Sequence, residues 1–177
     1  GDIAFLNNRF QVTCLDLTTG QTKWNQQLGG NHGSAHQWPM LAMRPLVSGD
    51  SIFCRRLTKS GTELVCCLAS DGKIQWQQQP EQILVSDPFL LRGRLHILST
   101  DRSSVGPTVL NLLTVQHASG KILSSAPVLK LFDAWQSAAM ICQVAVRDAQ
   151  FFVSTAGAVA CCNAEGQTLW VRRREWT

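Results

Sequence analysis

The sequence predicts an all-β protein: a β-propeller of four-stranded antiparallel blades, with about four blades in its 177 residues. The main observation is a turn-and-strand signature that occurs four times, with its glycines 52, 48 and 46 residues apart. Each glycine follows a short apolar run, and the fourth residue after it is Trp in three copies. A period of roughly 40–50 residues with several short strands per unit is typical of propeller blades. The four turn glycines are Gly20, Gly72, Gly120 and Gly166.

The glycine of each signature is expected in a tight turn between two antiparallel strands, because glycine adopts positive φ without steric cost. The repeated Trp residues share one register and are Trp24, Trp76 and Trp170. An indole can bury ~150–250 Å² against a neighbouring sheet, so these residues predict docking contacts between blades rather than separate sites. The third copy has Ser124 in place of Trp, and the pattern gives no support for the same contact there.

The apolar runs before the turns also favour stacked sheets. A strand with one face in water alternates apolar and polar residues. The runs 64–68 and 158–162 hardly alternate. Both faces of these strands are therefore expected to be covered, as in a sheet that lies between two others.

In chain order, the signatures divide the protein into one partial blade of three strands and three blades of four strands. The predicted bounds are residues 3–28, 44–79, 87–125 and 139–173. The link 127–137 joins the last two blades and contains Leu129, Leu131, Phe132 and Trp135. This spacing fits a short helical turn, and a covering loop is an equal alternative.

The copy from Cys14 to Trp24 reads as the end of an apolar strand, Leu-Asp, a turn, Gly-Gln, two residues and Trp. The copies that begin at Cys67 and Cys162 are read with turns one residue shorter, which puts these two cysteines in the register of Cys14. The pattern resembles the PQQ-like (pyrroloquinoline-quinone-type) β-propeller repeat family over nearly the whole chain. The resemblance implies a periplasmic or otherwise exported protein and a complete ring of seven or eight blades.

Four blades are about half of such a ring, and the chain has no residues before Ile3 to form the innermost strand of its first blade. We therefore expect a fragment of a seven- or eight-bladed propeller, or a ring that another chain completes. A four-bladed ring with one incomplete blade is the alternative. The expected partners are accordingly another protein or the remaining blades of the same propeller.

Many members of the family are binding or assembly scaffolds, so the resemblance favours a non-catalytic scaffold for proteins or ligands in a larger chain or envelope complex. One alternative is part of a quinoprotein dehydrogenase, which holds PQQ beside a calcium ion ligated by acidic and amide side chains. A second is a structural subunit of a redox complex. Most acidic residues fall in predicted turns, and no nucleophile motif or phosphate loop is present. No catalytic, cofactor-binding or metal residue is predicted, and PQQ and calcium enter by resemblance only.

The seven cysteines include two adjacent pairs, Cys66-Cys67 and Cys161-Cys162. Such pairs resemble the vicinal disulfide that quinoprotein dehydrogenases place at their cofactor. Adjacent residues of a strand point to opposite faces, so a bridge between them would distort the strand. Small buried thiols that pack as apolar side chains are the expected alternative.

Charge and hydropathy argue against nucleic-acid binding and against a membrane-spanning segment. The net charge is +4 and the basic residues are scattered; the run 172–174 is expected to be a solvated face, so nucleic-acid binding is not predicted. The sequence contains no run of 18 apolar residues, so no membrane span is predicted. No signal peptide is visible. His32 and His36 lie in a glycine-rich link without a third ligand, which favours loop residues over a metal site.

Overall fold

The computed structural model describes residues 2–8, 10–29, 43–58, 61–101, 108–131, 142–155 and 157–173. Within these ranges the regular structure is entirely β, with sixteen strands in four antiparallel sheets. The chain forms two compact units, residues 1–79 and 80–177. The strands are β1 Ile3–Asn7, β2 Gln11–Asp16, β3 Thr22–Gln27, β4 Leu46–Ser48, β5 Ser51–Thr58, β6 Gly61–Leu68, β7 Ile74–Gln78, β8 Ile83–Leu84, β9 Phe89–Leu91, β10 Arg94–Thr100, β11 Thr108–Val115, β12 Ile122–Leu131, β13 Gln143–Arg147, β14 Gln150–Ser154, β15 Ala158–Asn163 and β16 Thr168–Arg173.

The first unit contains a three-stranded sheet, β1-β2-β3, and a four-stranded sheet, β4-β5-β6-β7, in which strands adjacent in sequence are paired. Its core takes side chains from both sheets, including Val12, Ile52, Val65 and Cys67. Strand β6 is buried at every position from Gly61 to Cys67. This agrees with the sequence, because a strand covered on both faces has no reason to alternate.

The second unit contains a five-stranded sheet, β8 to β12, and a four-stranded sheet, β13-β14-β15-β16. Strand β8 was not predicted: it is two residues long and pairs with the far end of β10, beyond β9. The core of this unit is again built from both sheets. The apolar run in β15 is covered less completely than expected, because Val159 is 41% exposed.

Strand β12 is longer than the sequence indicated, because it includes residues 127–131. The helical turn or covering loop predicted for these five residues is wrong. Residues 127–131 continue the strand and pair with β11 as far as Leu131 opposite Thr108. A bulge between Leu110 and Asn111 adjusts the pairing, which bends the strand without ending it. Residues 132–137 of the predicted link lie outside the described residues.

The turn of the second sheet is as long as that of the first, so the shorter turn predicted there is wrong. The amide of Gly20 donates to the carbonyl of Asp16, and that of Gly72 donates to Leu68, four residues back in each case. In the fourth sheet Gly166 donates to Asn163, three residues back. The consequence is a shift of register: Cys66 and Cys161, rather than Cys67 and Cys162, lie opposite Trp as Cys14 does.

In every sheet, a register shift immediately follows the residue that pairs with the Trp of the signature, or with Ser124 in the third sheet. It lies between residues 14 and 15, 66 and 67, 114 and 115, and 161 and 162. A bulge places two residues of one strand against one of its partner and increases the local twist. Its recurrence gives the four sheets one common frame in which equivalent residues can be compared.

Candidate functional site

The four turn glycines all have left-handed backbone conformations, with φ of 71° at Gly20, 76° at Gly72, 73° at Gly120 and 85° at Gly166. Residues with a Cβ atom rarely adopt these values. The turns are reinforced by side chains that accept backbone hydrogen bonds, as Asp16 does from Thr18 and Thr19. These hydrogen bonds lower the pKa of the Asp16 carboxyl, with the Thr19 amide as the largest cause.

In the first unit, the indole of Trp24 packs against the turn of the second sheet. Its Nε1 donates a hydrogen bond of 3.1 Å to the carbonyl of Ala69. A Cβ atom added to Gly72 would lie 2.7 Å from Cε3 of Trp24 and 3.2 Å from Cβ of Gln26. Gly72 is therefore needed twice, for its positive φ and for the close approach of the indole.

Trp24 belongs to a set of three residues on adjacent strands, which we call a Phe–Cys–Trp row. The three members lie opposite one another in the strand pairing, and the Phe and Trp rings are 5.7–6.2 Å apart between centroids. Such tilted aromatic pairs add to the stability gained from burial alone. Three sheets contain the row, as Phe5–Cys14–Trp24, Phe53–Cys66–Trp76 and Phe152–Cys161–Trp170.

The cysteines of these rows, like the other four, are free buried thiols. Cys66 lies in the row of its sheet, whereas Cys67 packs in the core of the first unit. Burial raises the pKa of Cys67 to about 11, helped by its neighbour Cys66 and opposed by Arg56. Both thiols are therefore protonated at neutral pH, as expected of cysteines that serve as apolar packing.

The third sheet has polar residues where the others have the Phe–Cys–Trp row. The equivalent residues are His96, Thr114 and Ser124, which lie opposite one another on β10, β11 and β12. We call them the polar row. Thr114 Oγ1 and His96 Nδ1 are 3.3 Å apart, within hydrogen-bonding distance. The third sheet thus has hydrogen-bonding side chains at the positions where the other three sheets have the Phe–Cys–Trp row.

His96 is 3% exposed and stacks on Phe89, with 5.7 Å between ring centroids. Burial lowers its pKa and the positive charge of Arg94 lowers it further, while a hydrogen bond to the backbone of Leu91 acts in the opposite direction. Burial disfavours the charged form of a histidine. The imidazole is consequently neutral at pH 7 and acts through hydrogen bonding rather than charge.

A cavity of about 300 Å³ lies beside the polar row. All three members of the row line it, together with Leu112 and Ala126 of the same sheet. Ala164 and Glu165, in the turn before β16, close it from the fourth sheet. The cavity therefore occupies the place that the indole takes in the first unit, between a row and the turn of the next sheet.

The hairpin between β9 and β10 adds two guanidinium groups to the rim of the cavity, Arg92 and Arg94. Arg92 and Gly93 both have positive φ, 50° and 72°, as a type I′ hairpin turn requires. The Arg92 side chain forms an ion pair with Glu165 at 3.1 Å. Arg94 is exposed and makes no ion pair with a described residue, so its charge is available to a ligand.

Aliphatic side chains hold the third and fourth sheets together where the indole is missing. A Cβ atom added to Gly166 would lie 3.2 Å from Cγ1 of Val128 and 3.4 Å from Cδ2 of Leu112. The hydroxyl of Thr168 also donates to the carbonyl of Val128. The contact is made farther along β12 than Ser124, which leaves the space at Ser124 unfilled.

Sequence reasoning identified the turn glycines and the Trp residues but missed His96 and Thr114. Ser124 was the available signal, because it breaks the Trp pattern. The structure places Trp24 in a sheet contact and Trp76 against Phe53, while Trp170 packs on Phe152 and is 44% exposed. His32 and His36 lie outside the described residues. No helix in the described part of the chain could cross a membrane.

A family model described as outer membrane protein assembly factor BamB matches residues 8–175. The crystal structure of BamB from Moraxella catarrhalis has 18% sequence identity and a TM-score of 0.62, with 98% of this chain and 50% of that chain covered. Quinohemoprotein alcohol dehydrogenase ADHIIG from Pseudomonas putida HK5 has 12% identity and a TM-score of 0.68, with 97% and 32% covered. A Bacteroides caccae protein of unknown function has 13% identity and a TM-score of 0.60, with 98% and 58% covered. No curated protein matched the sequence.

These likenesses establish the fold, since identities of 12–18% carry no information about a shared ligand or reaction. The chain spans half the length of the BamB structure and about a third of the dehydrogenase. The polar row and its cavity are features of this chain and are not inferred from any of the three.

Proposed function

Because the chain belongs to the BamB-type family of PQQ-like β-propeller repeat proteins, we propose that it is part of a non-catalytic propeller scaffold that binds other proteins. We place this scaffold in the bacterial envelope, on the periplasmic side, by family resemblance. The observation that carries the proposal is the Phe–Cys–Trp row. In the first unit the row is a docking face, since Trp24 contacts the neighbouring sheet through both packing and a hydrogen bond.

The fourth sheet presents the same face, and the other described sheet of the second unit does not lie against it. Phe151 and Val153 point into the core of the second unit, so Phe152 and Trp170 lie on the opposite face of the sheet. Trp170 is 44% exposed. An uncovered aromatic row that matches a docking face elsewhere in the chain is suited to another propeller sheet, from the same protein or from a partner.

The experiment is a comparison of association by light scattering and sedimentation. The wild-type chain should associate through this face, and Trp170→Ser should reduce association at equal protein concentration. Leu123→Ser is the matched control, because Leu123 is 58% exposed on β12 and lies outside the row. A wild-type chain that stays monomeric at high concentration, or equal effects of the two variants, would contradict the proposal.

The dehydrogenase alternative makes a different prediction. Within the described residues no three His, Cys, Asp or Glu side chains come together as metal ligands. The carboxylates of Asp16 and Asp71 are engaged by their own turns. These donors do not fit a calcium–quinone site, and no reaction step is assigned to one. Addition of PQQ with calcium should leave tryptophan fluorescence unchanged, whereas saturable quenching at micromolar cofactor would favour the dehydrogenase.

A further inference from the structure

We propose that the cavity beside the polar row binds a small planar aromatic carboxylate. This site is independent of the protein-binding role proposed above. The shape of the cavity, the polar groups inside it and the unpaired charge at its rim together favour such a ligand.

The shape follows from the comparison of equivalent positions. In the first unit, an indole on β3 fills the space between its own sheet and the turn before β7. In the second unit, Ser124 stands at that position on β12, and the space remains as a cavity of about 300 Å³. Small-molecule sites begin at roughly this volume. A slot between two sheets that elsewhere holds an indole is suited to a flat aromatic ring.

The polar groups give the slot hydrogen-bonding capacity that the Phe–Cys–Trp rows lack. Ser124 and Thr114 contribute hydroxyls, and His96 is a neutral imidazole held by stacking on Phe89. Leu112 and Ala126 keep one wall apolar. A mainly apolar slot with a few fixed polar groups is typical of sites that bind and orient a small molecule.

The positive charge of Arg94 at the rim of the cavity favours a ligand that carries an anionic substituent. Glu165 neutralises Arg92 through their ion pair. Arg94 lines the same cavity, is exposed, and lies close enough to affect the pKa of His96. A guanidinium can hold a carboxylate through two parallel hydrogen bonds. A ligand whose ring enters the slot would thus place its carboxylate at Arg94.

The test is a titration of the whole chain with indole-3-acetate, indole and acetate, followed by calorimetry and ligand-observed NMR. Wild type should bind indole-3-acetate saturably and indole more weakly, with no binding of acetate. Arg94→Gln should weaken binding of indole-3-acetate about two- to fivefold, the range expected for one exposed charge pair, without changing that of indole. Absence of saturable binding of indole-3-acetate by the wild type would overturn the proposal.

Ser124→Trp supplies the second arm, because it restores the indole of the other sheets and should abolish binding of both aromatic probes. Ser125→Trp is the matched control: it adds an indole to the adjacent residue, which pairs with Leu113 and lies on the opposite face of β12 from Ser124, and it should bind as wild type does. Ala126→Leu narrows the same slot by a smaller change and should also reduce binding if Ser124→Trp does not fold. Undiminished binding by a folded Ser124→Trp or Ala126→Leu variant would show that the ligand sits elsewhere.

Discussion

The first and third sheets have the same turn and the same bulge, yet they meet the next sheet in different ways. The first uses an aromatic row, in which Trp24 fills the space above Gly72 and donates a hydrogen bond across it. The third uses aliphatic contacts from Leu112 and Val128 to Gly166. Its row is polar, and a cavity remains beside it. A sheet of the repeat can therefore lack the docking Trp when a longer strand, here β12, contacts the next sheet instead.

The largest effect is expected from removing the indole of the first row. Trp24→Ala should lower the free energy of unfolding by about 3–4 kcal/mol, because a large aromatic side chain leaves a cavity and its hydrogen bond to Ala69 is lost. Urea unfolding measures the change. Trp170→Ala is the matched control and should cost about 1 kcal/mol or less, since surface changes are usually small. Equal losses for the two variants would show that docking by Trp24 contributes little.

The close approach at Gly72 can be separated from the need for positive φ. Gly72→Ala should destabilise by about 2–3 kcal/mol, because the new methyl meets the Trp24 ring in addition to the backbone strain. Gly20→Ala is the control at the equivalent turn, where no atom lies within 4 Å of the added Cβ. It should cost only the strain, about 1 kcal/mol. If both variants lose the same stability in urea unfolding, the indole contact at Gly72 is not tight.

The polar row should give the protein a smaller, pH-dependent loss of stability. The pKa of His96 is lowered by burial and by Arg94, so as pH falls the unfolded chain takes up a proton before the folded chain does. Stability therefore rises with pH through the region below the ordinary histidine value and is lost as the solution becomes acidic. Denaturant midpoints at pH 5.5 and 7.5 should show this difference.

His96→Phe tests the origin of that pH dependence, because it supplies the aromatic residue that the other rows have. The variant should be less sensitive to pH between 5.5 and 7.5 than wild type. If the His96 variant keeps the full pH dependence, other groups are responsible for it.

Much of the fold could be predicted because it depends on local sequence. The turn glycines mark positions of positive φ, and the unbroken apolar run in β6 predicts a strand covered on both faces. The Trp pattern also predicted that some indoles would lie between sheets, as Trp24 does. The turn lengths were harder, because two adjacent cysteines precede the second turn and either of them could be aligned with Cys14. The bulge lies at the same place in both sheets and the two turns are equally long, so Cys66 is the equivalent of Cys14 and Cys67 is not.

The sequence by itself determined the repeat, the turns and the missing Trp at position 124, since each depends on residue type and spacing along the chain. Only the tertiary structure decided that His96 and Thr114 stand beside Ser124 and that β12 continues far enough to hold Gly166. The physical reason is that residues on neighbouring strands meet through pairing, and pairing depends on bulges and strand ends that sequence spacing does not encode. The cavity is a property of that pairing.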